Sequence, residues 1–307
     1  MSTSEICPEC NPIYYNSGKE IMMMKFFDEL GLKYVVNDRK IIKPLEIDFY
    51  FPDYNIAIEI NGIYFHGEFS SKSSDYHKHK SELCEQKGIQ LIPIWEDDLI
   101  HRKDLVFSML KNKFGKSSRK IGARQCEIRE VASKESNKFL NENHLQGAIN
   151  AKYKFGLYYN NELVSLMTFG NLRKALGAKK NERTCELYRF CNKLNTSVQG
   201  GASKLFEHAK KILLSEGFEK IITYAKRDWS NGNLYKNLGF VFDGYTVPGY
   251  FWTNTHGQRL NRFACRKSEI AKTEEEKLIT EVEIMHSRGF FRCYDSGNLK
   301  FYYDIRQ

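Results

Sequence analysis

The chain has 307 residues, of which 41% are apolar and 28% charged, and its formal net charge is +9. A membrane span is not expected because no apolar run approaches about 20 residues, and the length suits two domains of about 150 residues each. The excess of Lys and Arg favours a polyanionic partner, most simply nucleic acid, with an anionic membrane surface second. Because no apolar signal core follows Met1, secretion is not expected. The 8 Cys are scattered along the chain, which predicts reduced thiols in a cytoplasm and not a disulfide framework.

The first third of the chain alternates between helical and strand patterns. Ser17 predicts the start of a helix that runs to Leu30, with Glu20 completing a capping box. The following predicted elements are a strand pair at 47–50 and 56–60, a polar helix at 74–86 and a buried strand at 89–95. This order predicts an α/β domain with a mixed sheet and flanking helices over residues 1–110.

The rest of the chain predicts a second α/β domain over residues 125–270. Its predicted elements are strands at 154–159, 163–169, 185–191 and 221–224, and helices at 202–216 and 232–237. The tail, 271–307, predicts a hairpin around Asp295–Asn298. Between the domains, segment 111–124 is basic and free of acids, which predicts a linker that either contacts phosphates or forms a solvated turn. Its basic residues are Lys111, Lys113, Lys116, Arg119, Lys120 and Arg124.

Two carboxylates lie on the predicted strand pair. Asp48 is in the first strand and Glu59 near the end of the second, and adjacent antiparallel strands can bring such side chains within a few ångströms. Two close carboxylates repel each other, and a divalent cation relieves the repulsion. Oxygen ligands with retained waters suit Mg²⁺, which polarises a phosphoryl oxygen and lowers the pKa of a bound water.

The spacing of Asp48, Glu59 and Asn61 resembles the PD-(D/E)xK nuclease core, with Asn61 in place of its lysine. Asn supplies neither a positive charge nor a base, so another group is needed. The candidates are His66 on the GIYFHG turn, and His77 and Lys80, which share one face of the predicted helix.

Four motifs in order, EIDFYFP, IEINGIYFHGE, YHKHKSELC and GIQLIPIWEDD, resemble the Vsr-like, EDxHD-type branch of these nucleases, and in particular the Hef-type homing endonucleases of phages. The resemblance implies a site-specific, Mg²⁺- or Mn²⁺-dependent DNA endonuclease. It implies that Asp48, Glu59 and the carbonyl of Ile60 hold the metal and that His66 activates water. Glu20 matches the leading Glu of the branch, although a capping-box acid is the favoured interpretation of Glu20 taken alone. Glu96, Asp97 and Asp98 are further candidate ligands, but a solvated loop is the favoured interpretation for them.

Cys7-Pro-Glu-Cys10 is half of a zinc knuckle. No second CxxC follows at the usual spacing, so a closed tetrahedral Zn²⁺ site is incomplete unless Cys84 or a His joins it. The alternative is a surface turn with two reduced thiols.

A second group of motifs lies in the second domain. SVQGGASKLFEHAKKIL places two Gly at a helix start, where free N–H groups and the helix dipole favour an anion. Together with the NLYKNLGF stretch, it resembles the GNAT acyltransferases. The resemblance implies an acetyl-CoA turn at Gln199, Gly200, Gly201, Ala202 and Ser203, and a general acid at Tyr235. The alternatives are tight helix packing for the Gly pair and a packed ring for Tyr235.

Basic and aromatic residues of the second domain are predicted to contact double-stranded DNA or to form a solvated basic face. They are Arg173, Lys174, Lys179, Lys180, Arg183, Lys226, Arg227, Trp229 and Arg259. The leading hypothesis is a DNA endonuclease in a host cytoplasm. The alternatives are a GNAT-type acyltransferase that modifies DNA, with the first domain targeting it, and a DNA-binding protein without activity. The oligomeric state and the target sequence stay open.

Overall fold

The computed structural model describes residues 17–63, 68, 73–173 and 183–306. In the first part of the chain, a sheet with strand order β1-β2-β3-β4 is antiparallel except for the parallel pair β3 and β4. The strands are β1 Val35–Asp38, β2 Ile47–Phe51, β3 Ile56–Asn61 and β4 Gln90–Trp95, and the helices are α1 Gly18–Glu29, α2 Tyr76–Gln86, α3 Glu96–His101 and α4 Lys103–Lys113. Helix α2 forms the crossover that a parallel strand pair requires. These elements, α1–α4 and β1–β4, are called the N-terminal unit.

Alternating burial explains the second strand of this sheet. Ile47, Phe49 and Phe51 are buried, whereas Asp48 and Tyr50 between them are partly exposed. Phe49 and Phe51 lie in the core cluster that α1 and α4 also line, whereas Ile47 lies in a second cluster with Ala57 and Cys84. Since successive side chains of a strand point to opposite faces, Asp48 lies on the face opposite to that of Phe49. The predicted capping box is confirmed, because Ser17 Oγ accepts from the Glu20 N–H at 3.3 Å at the start of α1.

The predicted linker 111–124 is an ordered part of the fold. Lys111 and Lys113 belong to the last turn of α4. The following strand β5 (Arg119–Gly122) pairs in parallel with β10 (Thr196–Gln199), so the segment belongs to a small two-stranded sheet. The linker interpretation is therefore wrong for most of its length.

The second part of the chain, β5–β16, is called the C-terminal unit, and its largest sheet has the strand order β12-β16-β11-β9-β8-β7-β6. Helix α6 packs against this sheet, and Leu205, Phe206, Ala209 and Leu213 of the helix lie in the main core cluster. The strands are β6 Glu127–Glu130, β7 Tyr153–Tyr159, β8 Glu162–Asn171, β9 Thr184–Asn192, β11 Lys220–Lys226, β12 Val241–Tyr245 and β16 Asn298–Asp304, and the helices are α5 Ser133–Asn143, α6 Gly201–Ser215 and α7 Asn233–Asn237.

The middle of this sheet opens along its one parallel pair of neighbours, β9 and β11. Their register runs from Thr184 opposite Lys220 to Leu187 opposite Thr223 and then stops, although both strands continue. The two strands therefore separate beyond Leu187, and their far ends border an open space.

The predicted tail hairpin is wrong. Strand β15 (Phe291–Tyr294) pairs with β13 (Tyr250–Thr253), and β13 also pairs with β14 (Arg259–Asn261) in a separate small sheet. Strand β16 instead pairs along its length with β11. Residues 271–307 are thus no separate tail, since β16 lies inside the main sheet. Short helices lie between β14 and β15, namely α8 Lys267–Ile270, α9 Glu274–Leu278 and α10 Glu281–Ser287.

Arginines of the C-terminal unit bind acids of the N-terminal unit. Arg227 is 4% exposed and makes a bidentate contact with Glu85, at 2.7 and 2.5 Å. Arg292 Nε donates to Glu68 Oε1 at 2.7 Å. Bidentate contacts of this kind fix orientation as well as supplying energy. The two units are therefore docked through complementary charges.

Ser296, in the turn predicted for the tail hairpin, contacts the buried face of helix α2. Ser296 Oγ lies 3.0 Å from Ser81 Oγ and donates to the His77 carbonyl at 3.3 Å. All three residues are buried. The C-terminal unit is thus fastened directly to the helix that carries Lys80.

Within the described part of the chain, no helix combines the length and the apolar character that crossing a bilayer requires.

Candidate active site

Asp48 and Glu59 face each other across the antiparallel pair β2 and β3. Phe49 pairs with Ile58, and one further step along the same register sets Asp48 opposite Glu59. Directly opposed residues of such a pair have Cβ atoms about 4.5–5.5 Å apart. Glu59 is 3% exposed, and the Ile60 N–H donates to Asp48 Oδ2 at 2.8 Å. The structure therefore brings together the two carboxylates that the sequence singles out.

The pKa of Asp48 shows how unfavourable this pairing is even with Lys80 nearby. Burial raises the pKa of Asp48 to about 7, and the neighbouring Glu59 carboxylate adds to the effect, against the opposing hydrogen bond from Ile60 and the charge of Lys80. A raised carboxyl pKa at a buried acidic pair is typical of functional sites. A cation placed between the two groups would favour the ionised form of both.

Lys80 supplies the positive charge that Asn61 lacks. It lies on α2, is 5% exposed, and its Nζ forms an ion pair with Glu59 Oε1. Burial disfavours its charge, but the Glu59 carboxylate and the hydrogen bond to it outweigh burial and raise the pKa of Lys80. Lys80 therefore stays protonated, so it can stabilise negative charge but cannot act as a base.

Glu20 is both a capping residue and a neighbour of the acidic pair. Its side chain returns to the Ser17 N–H at 3.3 Å, as the capping interpretation predicts. Its charge is also among those that raise the pKa of Asp48. Half-buried Glu20 thus adds to the negative charge around Asp48.

His77 shares the buried face of α2 with Lys80, as predicted. Its ring lies 5.2 Å from the Trp95 ring in an edge-on contact, so the structure gives His77 a packing role. His79 of the same helix is exposed. A catalytic role for His77 stays a prediction.

Asn61 lies at the position that the nuclease core gives to a lysine, and its own side-chain amide is unsatisfied among the described residues. It is 1% exposed, and neither its Oδ1 nor its Nδ2 has a hydrogen-bond partner among the described residues. Leaving a buried amide unpaired costs about 1–3 kcal/mol. Because side chains alternate along β3, Asn61 lies on the same face as Glu59, which marks this face as one that accommodates a further polar group.

The acids that follow β4 are not in a solvated loop, so that expectation is wrong. Glu96 begins helix α3, pairs with Lys19 and accepts from the Ile63 N–H at 2.8 Å. Asp97 and Asp98 bind Arg259 at 2.9 and 3.3 Å. All three side chains therefore help to hold α3 in place, Glu96 through Lys19 of α1, and Asp97 and Asp98 through Arg259 of the C-terminal unit.

Three of the predicted site residues, His66, Cys7 and Cys10, lie outside the described residues. Of the groups proposed to complete a zinc site, Cys84 is buried, and burial raises the pKa of its thiol to about 12. A role of Cys84 in zinc binding stays a prediction.

The donor set at this site is small. In the described part of the chain, no group of three or more His, Cys, Asp or Glu side chains is arranged to hold a metal ion. Mg²⁺ does not need such a cage, because it is commonly bound through one or two carboxylates and keeps several waters. The buried acidic pair and the unsatisfied Asn61 amide fit that mode, and ligation by the Ile60 carbonyl stays a prediction.

Of the basic residues of segment 111–124 that are predicted to contact DNA, some are exposed and the others are partly buried. Lys116, Lys120 and Arg124 are exposed. Arg119 is paired with Glu162 at 2.6 Å, and burial lowers the pKa of Lys113 to about 8. The remaining member of the segment, Lys111, lies 6.0 Å from the Phe26 ring centre.

Two residues predicted to bind DNA are used inside the protein. Arg227 is buried against Glu85, so its prediction as a phosphate contact is wrong, and Arg259 is held by Asp97 and Asp98. Lys174, Lys179 and Lys180 lie outside the described residues.

The predicted cofactor turn leads into α6. Gly200 is the N-cap in a left-handed conformation, with φ of 74°, which Gly adopts without strain. Gln199, Gly200 and Ser203 are exposed, and Ala202 is half-buried. A Cβ on buried Gly201 would lie 2.9 Å from Val198 Cγ1, so tight packing explains this glycine, in line with the structural alternative.

Tyr235 lies beside the opening between β9 and β11. Its pKa is raised by burial, while a hydrogen bond with Thr223 and the charge of Arg189 oppose the rise. It borders a cavity of about 380 Å³, together with the ends of both strands. The structure therefore places Tyr235 where it can meet a ligand as well as pack on its helix.

Comparison with known proteins gives matches only among solved structures. No protein-family model matches the chain, and no curated protein matches it. Similar solved structures include the ribosomal-protein-S18-alanine N-acetyltransferase of Escherichia coli, with 12% identity over 59% of this chain and 94% of that one and a TM-score of 0.36. They also include spermidine/spermine N-acetyltransferase SpeG of Vibrio cholerae, with 13% identity over 60% and 94% and a TM-score of 0.36.

The chain is a mixed α/β protein. At these identities and TM-scores, the likeness carries no inference about activity. The nuclease assignment of the N-terminal unit gains no support from the comparisons, and it stays a prediction that depends on the site itself.

Two features of the sites were not predicted from sequence. The ion pair of Lys80 with Glu59 depends on how α2 crosses the sheet. The shared helix face singles out Lys80 but does not reveal Glu59 as its partner. Arg189 and His144, which line the cavity, were not predicted as functional at all. A buried Arg between the apolar residues of β9 was the available signal.

Proposed function

We propose that the chain is a DNA endonuclease of the homing type, which hydrolyses phosphodiester bonds of double-stranded DNA with Mg²⁺ or Mn²⁺ held by Asp48 and Glu59. The observation that carries this proposal is the buried carboxylate pair on β2 and β3, in which the pKa of Asp48 rises to about 7, with Lys80 beside it. The ion pair with Lys80 accounts for Glu59 alone and leaves Asp48 beside it with a raised pKa, which a bound cation would lower.

Each residue of the site has a separate task in this proposal. Asp48 and Glu59 bind the cation through carboxylate oxygens, and Ile60 orients Asp48 by donating its N–H. The cation, when bound, polarises the phosphoryl oxygen and lowers the pKa of a water. Lys80 stays protonated and stabilises the charge that develops on the phosphate. His66 is the candidate base that accepts the proton of the attacking water.

The positive charge of the chain serves binding in this proposal. Exposed Lys116, Lys120 and Arg124 follow α4 and contact the phosphates of the duplex. Binding should therefore weaken steeply with salt, because each neutralised phosphate releases counterions.

The test of this function is incubation of duplex DNA, including phage genomic DNA, with the full chain. Products should appear with Mg²⁺ or Mn²⁺ and not with EDTA, and the Asp48→Asn variant purified in parallel should show none. Equal product from the wild type and the variant would assign the activity to a contaminant and contradict the proposal.

A second candidate function is acyl transfer from an acyl-CoA to DNA, with the N-terminal unit targeting the DNA. It is favoured by the separation of β9 and β11 beside Tyr235 and by the exposed residues at the start of α6. Lys204 Nζ donates to the Ala123 carbonyl at 3.0 Å, so the 123–125 turn lies next to that helix start. This neighbour limits the room for a pyrophosphate, so we rank this candidate second.

Calorimetry with acetyl-CoA separates the two candidates. The nuclease proposal predicts no binding at millimolar cofactor. Micromolar binding that Ser203→Glu weakens by at least about tenfold, through repulsion of the phosphates, would favour acyl transfer. Ser203 is exposed, whereas a substitution of Gly201 would clash with Val198 and confuse lost binding with lost folding. Lys138→Gln, on exposed α5 surface, is the matched control.

A further inference from the structure

The cavity between β9 and β11 has a chemical character of its own. Its volume is about 380 Å³, within the range of small-molecule sites. The strand ends form one side, Lys113 of α4 and Trp229 lie on another, and the segment after α5 closes it near His144. The N-terminal unit thus contributes a wall, so the cavity exists only in the assembled chain.

The described residues that line the cavity include cations and no carboxylates. The cations are Lys113, Arg189, Lys193 and Lys226. Lys193 pairs with Glu162, and Lys226 with Asp228 at 3.0 Å. The charge that stands out among them is Arg189, because it is the most deeply buried of the four.

Arg189 is 9% exposed, and no carboxylate of the described residues forms an ion pair with it. Nη1 donates to the Tyr188 carbonyl at 2.9 Å, while the buried Nε has no hydrogen-bond partner among the described residues. The nearby carboxylate of Glu186 is held by the guanidinium of Arg173 instead. Burial and then the charge of Arg173 lower the pKa of Arg189 to about 10. A buried guanidinium in this state is strongly favourable to an incoming anion.

His144 adds a neutral donor beside Arg189. Its Nδ1 accepts from the Gln146 N–H at 3.1 Å, which leaves the ring proton on Nε2. Burial, with a contribution from the charge of Arg189, lowers the pKa of His144 to about 3, so the ring is neutral at physiological pH. An imidazole N–H and a guanidinium side by side are donors that match the oxygens of a phosphate.

The rest of the wall is aromatic. Tyr188, Tyr224, Trp229 and Tyr235 line the cavity, and each is half-buried. Rings of this kind form stacking surfaces for a planar base, worth about 1–3 kcal/mol per base. An anion site bordered by flat aromatic walls fits a ligand that joins a phosphate to an aromatic ring.

We propose that this cavity binds a nucleoside monophosphate, with the phosphate held by Arg189 and His144 and the base against the aromatic wall. The ligand is either a free nucleotide or a nucleotide of a DNA strand turned into the cavity. This inference is independent of the proposed nuclease site, which lies in the other unit.

Binding is measured by calorimetry in EDTA, so that no cleavage contributes. The four deoxynucleoside monophosphates are titrated into the full chain, and at least one should bind with a Kd of about 10–100 µM. The corresponding nucleoside, without phosphate, should bind at least about tenfold more weakly, and so should Arg189→Gln with the nucleotide. Lys138→Gln should bind like the wild type, since Lys138 is exposed and lies outside the cavity.

One further variant guards against misfolding. Arg189→Gln should melt no lower than the wild type because it removes a buried charge; if it unfolds, His144→Gln replaces it and should weaken nucleotide binding about threefold or more. Displacement of the bound nucleotide by a single-stranded oligonucleotide would identify a DNA strand as the source, and its absence a free nucleotide. No binding of any of the four at millimolar concentration, or equal binding of nucleotide and nucleoside, would overturn the proposal.

Discussion

Asp48→Asn is expected to reduce Mg²⁺-dependent DNA cleavage by roughly 10²–10³-fold or more, because it removes a charged metal ligand from a site where electrostatic stabilisation dominates. DNA affinity in Ca²⁺ or EDTA should change less than about twofold, since Asp48 is not among the exposed basic residues. The measurement is a single-turnover cleavage time course beside a binding titration. Asp53→Asn, on an exposed turn after the same strand, is the matched control and should cleave normally. Full activity of Asp48→Asn would remove Asp48 from the site.

The same substitution should stabilise the metal-free protein at alkaline pH. Folding raises the pKa of Asp48 from 3.8 to about 7, so the folded state holds this proton more tightly than the unfolded state does. The ionised group is therefore destabilising above about pH 7, and the penalty fades as the pH falls towards about 4. Asp48→Asn should gain about 2–4 kcal/mol at about pH 8 and almost nothing near pH 4. Urea unfolding in EDTA at each pH measures the difference in stability between the wild type and Asp48→Asn. Equal stability of the two proteins at about pH 8 would refute the raised pKa of Asp48.

The second large effect is expected from the pair of Lys80 and Glu59. Lys80→Met leaves the buried Glu59 carboxylate without its counter-charge, which should cost about 3–5 kcal/mol of folding stability at neutral pH. The double variant with Glu59→Gln should recover much of this loss because no uncompensated charge remains. Both variants should also lose cleavage, since each removes part of the proposed machinery.

A double-mutant cycle in urea gives the coupling energy of this pair. Lys87→Met, exposed just beyond the same helix, is the control and should change stability by less than about 0.5 kcal/mol. Additive losses in Lys80→Met and Glu59→Gln would show that the two side chains do not interact in solution.

Local patterns were enough to predict most of the N-terminal unit. The strand alternation from Ile47 to Phe51 set Asp48 on one face, and a short turn returned the chain so that Glu59 came opposite it. The capping box at Ser17 and the buried face of α2 followed from helical spacing in the same way. These features depend on periods of two and of three to four residues, which a sequence displays directly.

The errors arose where distant segments meet. Strand β16 lies beside β11 in the main sheet, but the Asp295–Asn298 turn signal predicted a local hairpin instead, because no local pattern reveals a partner beyond a long insertion. Arg227 is basic and appeared available to DNA, yet Glu85 of the other unit binds it. The cavity around Arg189 likewise forms only where α4, α5 and two strands converge.

The most direct test of the central claim is calorimetric titration of Mg²⁺ or Mn²⁺ into the full chain in buffers of different ionisation enthalpy. Because the pKa of Asp48 is about 7 without metal, ion binding must displace its proton. The account predicts one ion per chain, with about half a proton released at pH 7, nearly one at pH 6 and about a tenth at pH 8. Asp48→Asn should bind no ion and release no proton. Ion binding that persists in Asp48→Asn, or wild-type binding without proton release at pH 6, would contradict it.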